Sequence, residues 1–200
     1  CLGGILMSQI INELNNDIKY GIKWVLISLV LGSICGMVGA LFHHAIDYVT
    51  EIREIHNVFI YLMPLGGLLI VFLYHRVGLH NEPGTNTIIQ SVRQQEKIPR
   101  ILAPAIFLAT VITHLVGGSS GREGAALQIG GSIGTTLGRF MKVDKKDMSI
   151  LVMCGMSAAF SALFRTPISA TIFSMEKFCT RFRLTSPMVC LSLFSIWIIA

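Results

Sequence analysis

Charge is scarce in this chain. Asp, Glu, Lys and Arg together make 14% of its 200 residues, and the net charge is only +5. In so apolar a chain that small excess reflects cytoplasmic loops of a membrane protein, not a surface for nucleic acid. Cysteine is equally sparse in meaning: Cys1, Cys35, Cys154, Cys179 and Cys190 are scattered, with no CxxC and no paired spacing. They read as small apolar residues, which leaves no disulfide framework and no thiolate metal site. HExxH and Walker patterns are missing too, so no metal, cofactor or enzyme class is indicated. No tandem repeat, low-complexity linker or second soluble domain is visible.

What the chain has in quantity is apolar surface. Hydrophobic residues make 52% of it, and the mean hydropathy is +0.67. A soluble domain of this length buries a core with far less. Several apolar runs approach or exceed the roughly 20 residues that cross a bilayer. The expectation is an all-α polytopic membrane protein, because helices satisfy their own backbone hydrogen bonds in lipid. The sequence opens on Cys1, with Met7 as a plausible natural start, and closes on PMVCLSLFSIWIIA, too short for a full span. A cut inside a helix is expected there. The division expected is an N-terminal cytoplasmic segment over 1–20 and a membrane part over 21–200.

Along that membrane part, residues 22–49 form a first span, with Gly32, Gly36, Gly39 and Ala40 spaced for close helix packing. DYVTEIREIHN follows as a polar loop. NVFIYLMPLGGLLIVFLYHRVG is a second span, bent at Pro64 and the Gly66–Gly67 pair. TNTIIQSVRQQ has helical composition, with Thr85 or Asn86 as its N-cap. A third run, ILAPAIFLATVITHLVGG, leads to a short Gly-interrupted segment, AALQIGGSIGTTLGRFM. Beyond the loop KVDKKD, MSILVMCGMSAAFSALF gives way to RTPISATIFSMEKF, which breaks at Pro167 and restarts. Short, Gly- and Pro-broken apolar segments point to the discontinuous helices of transporters. Charge bias puts Lys19, Lys23, Arg93, Lys97, Arg100, Arg181 and Arg183 on the cytoplasmic side. A re-entrant 117–140 segment would put Lys142, Lys145 and Lys146 on the other side, against that rule.

Residues 117–134, GGSSGREGAALQIGGSIG, set Arg122 and Glu123 side by side between glycines, although both are costly near hydrocarbon. A helix starting here within the membrane has N–H groups without intrahelical partners, and its macrodipole adds to them an anion site. Gly121 and Gly124 let an ion approach the backbone. Glu123 is then a tethered anion at the mouth: ionised it fills the site, protonated it swings away. One carboxylate thus gates anion passage and carries a proton. Competing readings are a phosphate loop on the glycines at 118, 121 and 124, an exposed ion pair in an ordinary loop, and a structural Arg122 bonding carbonyls at a broken helix. No strand pattern precedes the glycines, which argues against the first. The rival function is a membrane enzyme or receptor that binds a phosphorylated ligand at this loop. Elsewhere His43 and His44 read as interfacial, His114 as a packed polar residue, Met153 and Met156 as core, and Glu176 as an ion-pair partner of Arg165 or Arg183.

GSSGREGAALQIGGSIG resembles the GREGP-centred signature of the CLC family of chloride channels and transporters. LGSICGMVGALFHHAI and MPLGGLLIVFLYHRVG look like that family's first two long helices, and GMSAAFSALFRTPISATIFSMEK is similar to its FxAP-containing segment. The resemblance covers about residues 20–200. It implies CLC-type architecture with inverted repeats and broken, re-entrant helices, of which this chain holds the first repeat. It also implies a cell-membrane homodimer that moves halide anions and protons, with Pro167 to Ala200 contributing to the dimer face. By position it implies Glu123 as the gating and proton-carrying glutamate, with Gly121, Arg122, Gly124 and Ala125 around the anion. Thr85 and Asn86 fall in the family's first anion-binding motif, here GTNTI where the family has GSGIP. Asn86 for glycine, and Ala125 where proline is usual, resemble the fluoride-exporting branch and rank fluoride ahead of chloride. Thr85 keeps the hydroxyl of the chloride proteins. Lys177 occupies the position of the exchangers' intracellular proton-transfer glutamate, one residue after Glu176. Protons then enter by another route, as in the fluoride branch, or the protein is an uncoupled channel.

Overall fold

No proline interrupts residues 2–55, and the computed structural model folds them into one helix, α1 (Leu2–Ile55). The structure describes the backbone of residues 2–79, 84 and 98–178, with side chains chiefly between 18 and 173. Helix α1 continues through most of DYVTEIREIHN, which corrects the reading of that stretch as a loop. Polarity ends a span but not a helix: Glu51, Arg53 and Glu54 are good enough helix formers, and Thr50 Oγ1 donates to the Ile46 carbonyl at 2.7 Å. After His56 come a 3-10 segment, Asn57–Leu62, and α2 (Met63–Val77). Pro64 lies in the first turn of α2, where its missing N–H has no helical partner to lose, so it starts a helix instead of bending one. Gly66 explains itself by packing: a Cβ there would lie 2.8 Å from Val116 Cγ1.

Four further helices are described: α3 (Leu102–Leu115), α4 (Arg122–Phe140), α5 (Lys145–Phe164) and α6 (Pro167–Phe178). Their breaks fall at the glycine stretch 117–121, at the KVDKKD loop, and at Arg165–Thr166 before Pro167, where the sequence marks them. Among the described residues no strand occurs. The helix expected to start near Thr85 lies outside the described residues.

Helix α5 forms the centre, with 67% of its apolar stretch buried, whereas the stretch that includes α2 is 6% buried. A glycine seam joins α5 to α4. A Cβ on Gly130 would strike the Gly155 carbonyl oxygen and stand 2.7 Å from Ala159 Cβ; one on Gly134 would strike the Leu151 carbonyl oxygen. Backbones that touch in this way replace the missing hydrophobic drive between helices in lipid with dense van der Waals contact. Helix α1 closes on α5 by the same device, Gly39 against Ala162 Cβ. Gly32 and Gly36 are buried with it, and Met153 and Met156 are 3% and 1% exposed, as core residues should be. Cys35 and Cys154 are buried free thiols, consistent with their reading as small apolar residues.

The sidedness of the KVDKKD loop needs correcting. Lys23 Nζ lies 3.8 Å from Asp147 Oδ2, and Lys19 and Lys23 line a groove together with Phe140 and Met141. Helix α4 therefore runs antiparallel to α1 along its length, and the loop at 141–144 lies at the Lys19 and Lys23 end. Lys142, Lys145 and Lys146 join the basic end of α1 instead of opposing it, in keeping with the positive-inside bias.

Candidate functional site

Helix α3 stops at a left-handed glycine. Gly117 has φ +85°, and the N–H of Gly118 returns to the Thr113 carbonyl at 2.8 Å. The chain then crosses Ser119 and Ser120 outside any helix and enters α4 through Gly121, at φ −65° and ψ 108°. No side chain caps this terminus. The Ala125 N–H reaches the Gly121 carbonyl at 3.4 Å, so the N–H groups of Arg122, Glu123 and Gly124 precede the first intrahelical bond. They converge with the macrodipole on one small region that favours an anion. A Cβ on Gly121 would meet nothing within 4 Å, so the approach is open.

Four of the sequence-identified residues meet at this terminus. Glu123 is exposed in the first turn, Arg122 and Gly124 are half-buried, and Gly121 is exposed. Ala125 differs: its side chain is 5% exposed and packs into the core, leaving only its backbone near the mouth. Thr85 and Asn86 lie outside the described residues. Glu176 and Lys177 belong to α6, with side chains outside them as well.

Arg122 has a partner that the sequence reading missed. Its Nη1 lies 3.6 Å from Asp47 Oδ1, and Asp47 Oδ2 lies 3.0 Å from His43 Nδ1 on the preceding turn of α1. His43 and His44 thus sit on the body of α1, with rings stacked 5.9 Å apart, well before the helix ends at Ile55. The available signal was the i,i+4 spacing of His43 and Asp47, hidden by reading Asp47 as the first residue of the polar loop. His114 conforms to its reading as a packed polar residue, buried with Nδ1 2.9 Å from the Thr110 carbonyl. Among the described residues no group of three or more His, Cys, Asp or Glu is placed to hold a metal.

Residues 66–198 match the family described as voltage gated chloride channel. The chloride/fluoride channel protein of Pseudomonas syringae pv. tomato is 33% identical over 160 residues, covering 80% of this chain and 35% of that protein. The H(+)/Cl(-) exchange transporter ClcA of Salmonella arizonae is 26% identical over 190 residues, which is 88% of this chain and 40% of the transporter. A crystal structure of a CLC-type fluoride/proton antiporter superposes with TM-score 0.78 at 31% identity, over 88% of this chain and 46% of that one. A slow cyanobacterial Cl-/H+ antiporter, 21% identical with TM-score 0.67 over 88% of this chain and 45% of its own, shares the fold. This chain therefore spans less than half the length of each of these relatives. Matched over most of its length, it belongs to the voltage gated chloride channel family and is a multi-pass membrane protein of the all-α CLC fold.

Proposed function

We propose that the chain supplies half of a halide pathway, as the first of two inverted repeats in each subunit of a homodimer, and that Glu123 gates that pathway and carries its proton. The observation that carries this reading is an exposed carboxylate in the first turn of an uncapped helix, beside amides that lack intrahelical partners. An anion and the carboxylate compete for the same dipoles, so the ionised side chain closes the mouth and the protonated one opens it. Gly121 and Gly124 keep the approach free of side chains. Backbone N–H groups near Ala125, and the hydroxyl and amide of Thr85 and Asn86, are the further anion ligands. Small, strongly hydrated fluoride needs many short hydrogen bonds to replace its water, and added donors at Thr85 and Asn86 favour it over chloride.

The test is Glu123→Gln in the full-length protein, reconstituted in liposomes and followed with fluoride- and chloride-selective electrodes. Glutamine keeps size and hydrogen bonding but neither competes as an anion nor takes up a proton. Proton coupling should stop. If fluoride exchange requires the carboxylate in every cycle, fluoride efflux collapses as well; a chloride-type pathway would instead stay open and become insensitive to pH. Wild-type efflux with unchanged pH dependence would end the gating role. Fluoride efflux no faster than chloride efflux in the unmutated protein would reverse the ranking of the two ions.

A further inference from the structure

The two oxygens of the Asp47 carboxylate face different partners: Oδ1 lies 3.6 Å from Arg122 Nη1, and Oδ2 lies 3.0 Å from His43 Nδ1. Arg122 is a permanent cation, whereas an imidazole changes charge in the physiological range. His43 Nδ1 is buried and makes no directional hydrogen bond, in spite of its short distance to the carboxylate. The contact is close but poorly aligned, so its sign depends on the charge of the ring. A neutral imidazole that presents its Nδ1 lone pair repels the carboxylate, and a protonated one attracts it.

Other charged and titratable groups near this end of the packed elements are few among the described residues. On α1 they are His44, stacked on His43, Glu51, one turn beyond Asp47, and Arg53, whose Cδ would lie 3.7 Å from a Cβ on Gly117 and whose Nη2 is 3.9 Å from Glu54 Oε1. Helix α4 adds Arg122 and Glu123, and Arg165 follows α5, whose Ala162 packs on Gly39. In α3, His114 is directed to its own helix, 2.9 Å from the Thr110 carbonyl.

We propose that Asp47 is a positioning residue for the start of α4, and that protonation of His43 divides its carboxylate between His43 and Arg122. With His43 neutral, the carboxylate belongs to Arg122 and pins the first turn of α4 to α1. With His43 charged, the tether loosens and the guanidinium turns toward the open helix terminus beside Glu123. Acid then strengthens anion attraction at the mouth by a route separate from protonation of Glu123. The transport consequence rests on the reading of Glu123 as the gate; the tether itself does not.

In the full-length protein, His43→Gln holds the neutral state and His43→Lys the charged one. Halide efflux from liposomes is compared at about pH 5.5 and about pH 7.5, on either side of the ordinary histidine range. At the higher pH, efflux through His43→Lys should exceed that of the unmutated protein, with the Glu123 part of the acid response still to come. His43→Gln should lose about two- to fivefold of the acid response, the scale of one half-exposed ion pair. An Asp47→Asn background should abolish the difference between the two variants. Identical pH profiles in all three proteins would overturn the proposal. Hydrogen exchange of the amides at 119–126 gives a reading that needs no ion movement. At one fixed pH, His43→Lys should exchange faster than His43→Gln, and Asp47→Asn should remove that gap. Equal exchange would overturn the tether even if ions move. Unequal exchange in a protein that moves no halide would uphold the tether and discard only the transport reading.

Discussion

At Gly121 an added Cβ meets no atom within 4 Å, whereas at Gly130, further along the same helix, it strikes the carbonyl oxygen of Gly155. The two glycines are the same residue serving opposite geometries. Around Gly121 the missing side chain leaves open space in front of unpaired amides, the geometry on which the proposed anion approach rests. Along the seam of Gly130, Gly134 and Gly155, the missing side chains let two backbones touch, and nothing from outside can enter. The comparison separates an open helix terminus from a packed seam within a single helix. It also shows why counting glycines in a membrane segment says little until each is placed against its neighbours.

The seam is the place to break that comparison most violently. Gly130→Leu puts a branched side chain against backbone that cannot rotate away, and overpacking of this kind costs roughly 3 kcal/mol or more. Little folded, monodisperse protein should be recovered on size-exclusion chromatography in detergent. Recovery and melting temperature equal to the unmutated protein would mean that α4 and α5 do not meet as described. Gly121→Ala sharpens the contrast from the other side. Its methyl enters open space, so stability should stay within about 0.5 kcal/mol. Halide efflux should nonetheless fall about tenfold, the effect of weakening roughly one hydrogen bond to an ion. A large loss of melting temperature with efflux unchanged per folded molecule would invert the assignment of the two regions. Lys23→Ala is the smallest perturbation. The Lys23–Asp147 pair is 3.8 Å long, with Lys23 half-exposed, so removing it should cost less than about 1 kcal/mol and leave transport intact.

Much of this was legible in the residues alone. Runs of apolar side chains locate the spans because crossing hydrocarbon is a matter of local composition. GGSSGREG announces a helix start because glycine, a charged pair and a following helical run are neighbours in sequence. Pro64 was visible but misread, because the sequence does not say whether a proline bends a helix or begins one. Asp47 was missed for a different reason. It lies in a polar stretch that reads as loop, and its significance depends on Arg122, which is remote in sequence and adjacent only after α4 folds back along α1.

By itself the sequence determined the membrane-helical class, the family and the location of Glu123 at a glycine-flanked helix terminus, since each follows from hydropathy or from a short contiguous motif. Tertiary structure alone decided which end of α1 the KVDKKD loop joins, which glycines are packed in the seam and which stand open, and that Asp47 stands between His43 and Arg122. Those outcomes depend on the direction and rotation of one helix against another. Packing of small residues sets both, and no local stretch of residues encodes either.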